Sequence, residues 1–460
     1  MQSNKTIETA GATRREFLKT STAAAAAVAA TGLLKTPVYG QNTAPSTGKV
    51  IGANDRINVG FIGVGPQGMA HVRSIKENAG DNNVALVAVA DLSKTRGKEA
   101  KEFITGDVKV FEDYKKLLEE KDIDAVVIAT HDVWHAQCSI DSMEAGKHVY
   151  CEKPMTRYLD EAFKVYDVTK KTGRVFQVGA QICSDARWHQ AAKMVKEGAI
   201  GKLVIGQDSY MRNNKKGEWN YDIAKWATPS DIEWKTWEGR VKSKTDFNAD
   251  AYFRWRKYYP YCAGLLGDLM PHRLHPYMIA TGNPEFPTRV TCVGAKNVLS
   301  DKETPGTPIR DVPETIALTA EFPSGLILLM TCSTVNEQGL QSMLRGNKGT
   351  LYFGGSGDTV ELKVERPYSE EIDPERLTGL KPSGEKIPEQ EKNWFQCIRN
   401  PGQVPFGNID LAIRVQTVVS LAEMSDRLNA MCRFDEKTRK VLTEAGKEID
   451  PITYGTMPQS

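Results

Sequence analysis

Three side chains stand out for the chemistry their types could perform together: Lys153, Asp268 and His272. A lysine ammonium can hydrogen-bond a substrate oxygen and stabilise it as alkoxide character develops. A histidine titrates near neutrality and can take the proton of an alcohol while hydride leaves the same carbon. Asp268 and His272 are four apart in Gly264-Leu-Leu-Gly-Asp-Leu-Met-Pro-His-Arg-Leu-His275, so a helix places them on one face. There the carboxylate could orient the imidazole or bind a neighbouring hydroxyl. The alternative is that Asp268 only caps a helix whose first turn tolerates Pro271.

The elements before Lys153 give it a place. Ile57–Ile62 is a strand-like run ending in Gly63-Val64-Gly65-Pro66-Gln67-Gly68, a G-x-G-x-x-G turn opening a helix. Such a turn lets backbone N–H groups approach a pyrophosphate. Val84–Ala90, Ala125–Ala129, His148–Cys151 and Val175–Val178 are further apolar runs, separated by helical patterns such as Tyr158–Thr172. This alternation predicts a doubly wound parallel sheet of the Rossmann type over residues 55–179, with ligand groups at the strand ends. Asp91 ends the second strand 23 residues beyond Gly68. A carboxylate there accepts both ribose hydroxyls and repels a 2′-phosphate, so NAD is favoured over NADP, although Lys94 and Arg96 soften the preference. The cofactor-facing set is therefore Gly63, Gly65, Gln67, Gly68, Asp91, Thr130, His135, Glu152 and Lys153. Pro154 is expected to follow a cis peptide bond, a fixed bend that would aim Lys153.

After residue 180 the pattern changes. Thr315–Phe322 and Leu326–Ser333 flank Pro323-Ser324-Gly325, and Ser342–Arg345 and Thr350–Phe353 flank Gly346–Gly349, both hairpin signals. With Lys202–Tyr210 and Arg289–Val293 they predict an α+β second domain, residues 180–460, built on a large, mostly antiparallel sheet. Asn408–Leu428 is a long helical pattern. Lys215–Asp250, with Trp219, Trp226, Trp234 and Trp237, is read as an irregular loop over one face. Arg187, Trp188, Tyr210 and His275 are candidates to face a substrate, and Trp134, Trp188, Trp219 or Tyr221 could stack on a sugar. Arg254 and Arg256 serve either a polar substrate or salt bridges that anchor their segment.

Composition narrows the setting. With 60 Lys and Arg against 58 Asp and Glu in 460 residues, no basic field points to nucleic acid. Thr13-Arg14-Arg15-Glu16-Phe17-Leu18-Lys19 and the Ala-rich stretch after it resemble a twin-arginine export signal over residues 1–40. That stretch is too short for a stable membrane anchor. Five basic and two acidic groups lie in those forty residues, so removing this +3 segment takes the net charge from +2 to −1. Residues 41–54 read as a linker. The expected location is the periplasm or beyond, reached through the twin-arginine translocase. The eight cysteines show no C-x-x-C spacing and read as reduced core thiols.

The glycine turn, Glu152-Lys153-Pro154, Gln177-Val178-Gly179 and the Asp268/His272 spacing together resemble the glucose–fructose oxidoreductase, inositol dehydrogenase and MocA (Gfo/Idh/MocA) family. The resemblance implies that Lys153, Asp268 and His272 surround a reacting carbinol. It implies a second domain whose open sheet forms a homo-oligomer interface. It also carries two net reactions: hydride transfer on a sugar or cyclitol hydroxyl, and an NAD-dependent glycoside cleavage through transient oxidation and elimination. The sequence departs from the family at His131, where relatives have Pro, at His275-Pro276, and in the Lys215–Asp250 loop. Outside the cytoplasm, where soluble nucleotide is scarce, NAD must be held tightly and recycled in place.

Two other classes are open. One is a metal-dependent hydrolase: His131-x-x-x-His135 has the spacing of two metal ligands on a helical turn, and Asp268, His272 and His275 form a second such set, although no metal is assigned. A nucleotide-binding protein without turnover is the third class, disfavoured by the intact Lys153, Asp268 and His272.

Overall fold

In this computed structural model, residues 55–241, 245–354 and 357–454 are described. The twin-arginine segment and the linker lie outside them. Strands β1 (Ile57–Ile62), β2 (Val84–Ala90), β3 (Lys109–Phe111), β4 (Ala125–Ile128), β5 (His148–Glu152) and β6 (Phe176–Gly179) form one parallel sheet in the order β3-β2-β1-β4-β5-β6. Their side chains explain it. Val59, Phe61, Val126, Val127 and Val149 are wholly buried, because crossover helices cover both faces. The main helices of this half are α1 (Pro66–Glu77), α2 (Lys94–Ile104), α3 (Tyr114–Leu118), α4 (Asp132–Glu144) and α5 (Leu159–Thr172). Strand order reverses between β1 and β4, which opens a crevice at the carboxyl ends of those strands. The doubly wound sheet read from the sequence is thus present, with the short edge strand β3 added.

The second sheet follows from α6 (Ala186–Lys196) and β7 (Leu203–Asn213), then α7 (Pro271–Ala280) and β8 (Arg289–Ala295). Strands β9 (Thr315–Glu321) and β10 (Ile327–Ser333) are the first expected hairpin, pairing Glu321 with Ile327. After β11 (Val335–Asn336), β12 (Met343–Gly346) and β13 (Gly349–Gly354) form the second. Strands β14 (Thr359–Val364), β15 (Glu375–Leu377), β16 (Cys432–Asp435) and β17 (Lys440–Leu442) extend the edges to eleven strands. The β7–β10 pair is parallel and the other described pairings are antiparallel. Alternation on β9 shows the two faces: Ile316, Leu318 and Ala320 are buried, while Ala317 and Thr319 are exposed.

Two helices tie the halves together. α8 (Ile387–Arg399) carries Trp394 and Phe395 into the same core as Val59, Phe61 and Tyr150. Chain from far beyond residue 179 therefore completes the first core. α9 (Ile409–Leu428) is entered through Gly407, whose carbonyl accepts from the Val178 N–H on β6 at 2.7 Å. The tryptophan-rich excursion is not simply irregular. Ile232, Trp234, Trp237 and Val241 share a small core with Val133, Tyr252 and Tyr261. All eight cysteines are free and buried. Among the described residues, no helix is long and apolar enough to cross a membrane.

Candidate active site

The crevice is shaped first by glycines. Gly63 has φ +83, in the left-handed region, and its N–H donates to the Ala90 carbonyl at 2.8 Å, locking the turn to β2. A Cβ on Gly68 would sit 2.1 Å from the Gly63 carbonyl oxygen, so α1 can pack this close only with glycine there. Gly65 caps α1 without a side-chain hydrogen bond, and Pro66 follows at the first helical position. The first-turn N–H groups have no side-chain acceptor and suit an anion. Asp91 accepts from the Val64 N–H and the Ser93 N–H, both at 2.8 Å, which fixes its carboxylate beside the turn. Burial raises its carboxyl pKa despite the opposing Arg96 charge. These features fit a dinucleotide.

At the next lip, Thr130 follows β4, and a Cβ on Gly63 would lie 2.9 Å from its backbone nitrogen. His135 does not face the crevice. Its Nδ1 lies 2.7 Å from the Pro154 carbonyl and its Nε2 3.1 Å from the Thr130 carbonyl, so it positions both loops. Gln67 donates to Glu152 at 2.9 Å, and Gln181 donates to the same oxygen at 2.6 Å. His71, fully buried, bridges Glu152 (2.8 Å) and Glu391 of α8 (2.7 Å). Burial alone would lower its pKa, but the two carboxylates raise it to about 9.

β5 delivers Lys153 to the crevice, and the Lys153–Pro154 bond is cis. The Lys153 ammonium donates to the Asp268 carboxylate at 2.7 Å and to its backbone carbonyl at 2.9 Å. Asp268 also accepts from Arg256 Nε at 2.9 Å and from the Trp219 indole at 3.0 Å. Burial would raise the Asp268 carboxyl, but Arg256 and Lys153 outweigh it and drive it far below the usual range. Trp219 holds φ +67, a strained backbone for a bulky residue, with its ring buried.

The expected face shared by Asp268 and His272 is corrected here. Leu265–Asp268 is a short helical turn, and α7 begins anew at Pro271. Pro271 has no N–H to continue the ladder, so the helix breaks between the two residues. Asp268 does not orient the imidazole. His272 Nδ1 instead lies 3.0 Å from Glu385 Oε1, and the Tyr210 ring stands 5.5 Å from the His272 ring. Glu385 rides on a strap fixed to the start of α6. Asp185 accepts from the Gly384 N–H at 2.7 Å, and the Ala186 N–H donates to Pro382 at 2.8 Å. Burial would raise the Glu385 carboxyl, yet His272, Arg273 and Lys153 bring it below its usual range.

The remaining substrate candidates divide. Tyr210 faces His272, and its oxygen accepts from Arg212 at 2.8 Å. Arg187 is committed to Asp185 (2.8 Å) and anchors the strap's support. Trp188 is wholly buried against Phe353, so it is core. His275 is also buried. Its Nδ1 lies 2.9 Å from the Pro271 carbonyl, and burial lowers its pKa to about 4. Arg254 pairs with Asp250 (2.8 Å) and anchors its segment, whereas Arg256 joins the site. The metal spacing at 131–135 does not converge: the His131 ring stacks on Trp237 at 4.2 Å, while His135 bonds carbonyls. Among the described residues, no three His, Cys, Asp or Glu groups are placed to hold a metal ion. Glu385, His71 and Glu391 were not singled out from the sequence. Each reaches the site only through the fold.

Residues 57–180 match the Gfo/Idh/MocA sequence family described as an oxidoreductase family with an NAD-binding Rossmann fold. That segment has the parallel sheet and glycine turn of a Rossmann fold. The chain is 30% identical over 230 residues to an α-N-acetylgalactosaminidase of Shewanella oneidensis, covering 45% of this chain and 49% of that protein. It is 29% identical over 231 residues to a glycosyl hydrolase family 109 protein of Shewanella pealeana, with 45% and 49% covered. The match spans about half the length of these curated relatives. Among solved structures, levoglucosan dehydrogenase in complex with NADH and levoglucosan superposes with TM-score 0.62 at 20% identity, covering 82% of this chain and 98% of that one. An oxidoreductase domain protein from Kribbella flavida superposes with TM-score 0.63 at 20% identity, covering 83% and 100%. These likenesses establish a shared two-sheet fold.

Proposed function

We propose that the chain is an exported NAD-dependent oxidoreductase acting on a hydroxyl of a sugar, glycoside or cyclitol, with NAD held tightly and recycled in place. The observation that carries this reading is the meeting of Lys153, at the carboxyl end of β5, with Asp268 and Arg256 of the second half beside His272. NAD, when bound, supplies a hydride acceptor. The chain's own residues supply the rest. His272 takes the hydroxyl proton, and the Glu385 carboxylate, 3.0 Å from its Nδ1, balances the positive charge it gains. Lys153 stabilises negative charge on the substrate oxygen, with Asp268 fixing the ammonium by a charge-assisted bond. The Lys153 and Asp268 side chains are each only 10% exposed and the Trp219 ring is buried, which strengthens these charge interactions.

A second reading is supported by the names of the Shewanella relatives. Oxidation of one ring carbon acidifies its neighbour, so a glycosidic leaving group can depart by elimination and the sugar be restored after water adds. Both readings share the first oxidation. Twin-arginine export, carbohydrate as substrate and a homo-oligomer formed through the open sheet complete the proposal.

The test is mass spectrometry of nucleotide released from protein purified without added cofactor, followed by a panel of sugars, glycosides and cyclitols. Wild-type protein is expected to carry NAD or NADH and to reduce bound NAD with one class. His272→Ala should keep the nucleotide and lose at least about a hundredfold in rate. Unchanged turnover in His272→Ala would remove the assigned base.

A further inference from the structure

Arg273 directly follows the proposed base in α7, and it is held differently from the other cations of the site. Lys153 and Arg256 are bonded to Asp268 (2.7 and 2.9 Å), and Arg212 to Glu218 (2.8 Å). The Arg273 guanidinium instead lies over the Tyr210 ring, 5.0 Å from its centroid. The His272 ring stands 5.5 Å from the same tyrosine, so base and guanidinium share one aromatic neighbour. Arg273 is half-buried, and among the described residues its Nε, shut off from solvent, meets no hydrogen-bond acceptor. The Asp208 and Glu385 carboxylates feel its charge, but both have other partners. Asp208 accepts from the Ser209 N–H at 2.7 Å, and Glu385 lies 3.0 Å from His272 Nδ1. Burial also raises the Asp208 carboxyl pKa, against the pull of Arg273, which weakens Asp208 as a counter-ion. A guanidinium N–H withdrawn from water without an acceptor is costly. Beside a catalytic base, it calls for an acceptor that arrives with the ligand.

We propose that Arg273 binds a carboxylate of the substrate, so that the sugar this site takes is an acidic one, a uronic acid or its glycoside. This rests on the oxidoreductase reading above and names its substrate class. The planar fork of a guanidinium matches a carboxylate through two parallel N–H···O bonds. One uncommitted cation suits one negative charge. A phosphate dianion would call for a second, and the nearby Arg212 is already spent on Glu218 and on the Tyr210 hydroxyl oxygen, both at 2.8 Å. With its flat face against Tyr210, Arg273 offers the edge of the guanidinium to the ligand. A carboxylate seated there ties the sugar to the residue next to His272, which fixes the ring relative to the base.

The experiment is calorimetric titration of the full-length protein, saturated with NADH, with matched methyl glycosides. The panel is the glucuronide and galacturonide, the neutral glucoside and galactoside, and the 6-phosphates of the neutral pair. Wild type is compared with Arg273→Gln and Arg273→Lys, with circular dichroism and NADH stoichiometry reporting that each variant is folded. In wild type at least one uronide should bind about tenfold or more tighter than its neutral partner. Arg273→Gln should bring that pair to equal affinity, while Arg273→Lys, which keeps the charge but not the fork, should retain part of the preference. A panel in which no uronide binds more tightly than its neutral partner would overturn the acidic-sugar assignment and leave the oxidoreductase reading standing. Tighter binding of a 6-phosphate than of its uronide would overturn the carboxylate, and an undiminished preference in folded Arg273→Gln would overturn the residue. Wild type that takes up no NADH would remove the oxidoreductase reading, and this proposal with it.

Discussion

At the scale of single residues, the arrangement around Asp268 and His272 separates two tasks that the sequence spacing merges. Asp268 is saturated by Lys153, Arg256 and the Trp219 indole, which leaves it ionised and committed to holding the ammonium. The imidazole takes its carboxylate from Glu385, more than a hundred residues away in sequence. Glu385→Gln keeps the size and removes the charge that stabilises a protonated His272. It should bind nucleotide as wild type does and slow sugar-dependent reduction of bound NAD by about tenfold to a hundredfold. Equal rates for the variant and wild type would show that His272 works without it. Lys153, Asp268 and His272 were legible as residues because their types are rare together and lie near a strand end and a helix start. Their partners were not. Glu385 sits in a polar Lys-Pro-Ser-Gly-Glu-Lys stretch with no pattern of its own, and only the strap's bonds to Asp185 and Ala186 bring it in. Trp188 and His275 misled for the opposite reason: aromatic and imidazole groups pack cores as readily as they line sites.

Elements carry the electrostatics that join the halves. His71 on α1 is buried between Glu152 of β5 and Glu391 of α8, with Ser74 donating to Glu391 and the Tyr150 ring 5.0 Å away. Its folded pKa of about 9 exceeds the ordinary 6.5. The stability it contributes is therefore complete below about 6.5 and is lost as pH rises through about 9. Glu152 behaves in the opposite sense. Burial opposes its ionisation, but His71 and its other donors lower its pKa to about 2. Its contribution is present above the ordinary 4.5 and fades as pH falls toward 2. Melting temperature should thus decline on the alkaline side between about 6.5 and 9, and His71→Gln should flatten that limb while lowering stability near neutrality. An unchanged alkaline limb in the variant would contradict the buried imidazolium. The strands of the first sheet were legible because burial on both faces demands continuous apolar runs. β3 and β14–β17, at or next to the sheet edges, were missed because short, half-exposed strands need little apolar patterning. α8 was missed because its purpose, filling the first core with Trp394 and Phe395, depends on chain more than two hundred residues before it in sequence.

Over the whole molecule, the crevice is a joint product of segments distant in sequence. The first sheet supplies the glycine turn, Asp91 and Lys153, and the second half supplies Arg256, Asp268 and His272. The excursion is bonded to the turns after β2 and β4, and the strap brings Glu385 to His272. This division explains why hydrophobic periodicity pointed to two sheets while the site's completion stayed hidden: periodicity reports each element's own burial, not which loops meet above it. It also fits a cofactor that stays in place, since the same body that carries the base is bonded to both nucleotide loops. The central claim is that a carbinol hydrogen passes from a sugar-like substrate to bound nicotinamide. The most direct measurement uses substrates deuterated at single ring carbons, mixed with protein purified without added nucleotide and quenched in acid during turnover. The account predicts deuterium in the released nucleotide for one labelled carbon, and its loss in His272→Ala. Turnover of the same substrate with no label in the nucleotide from any position would contradict it.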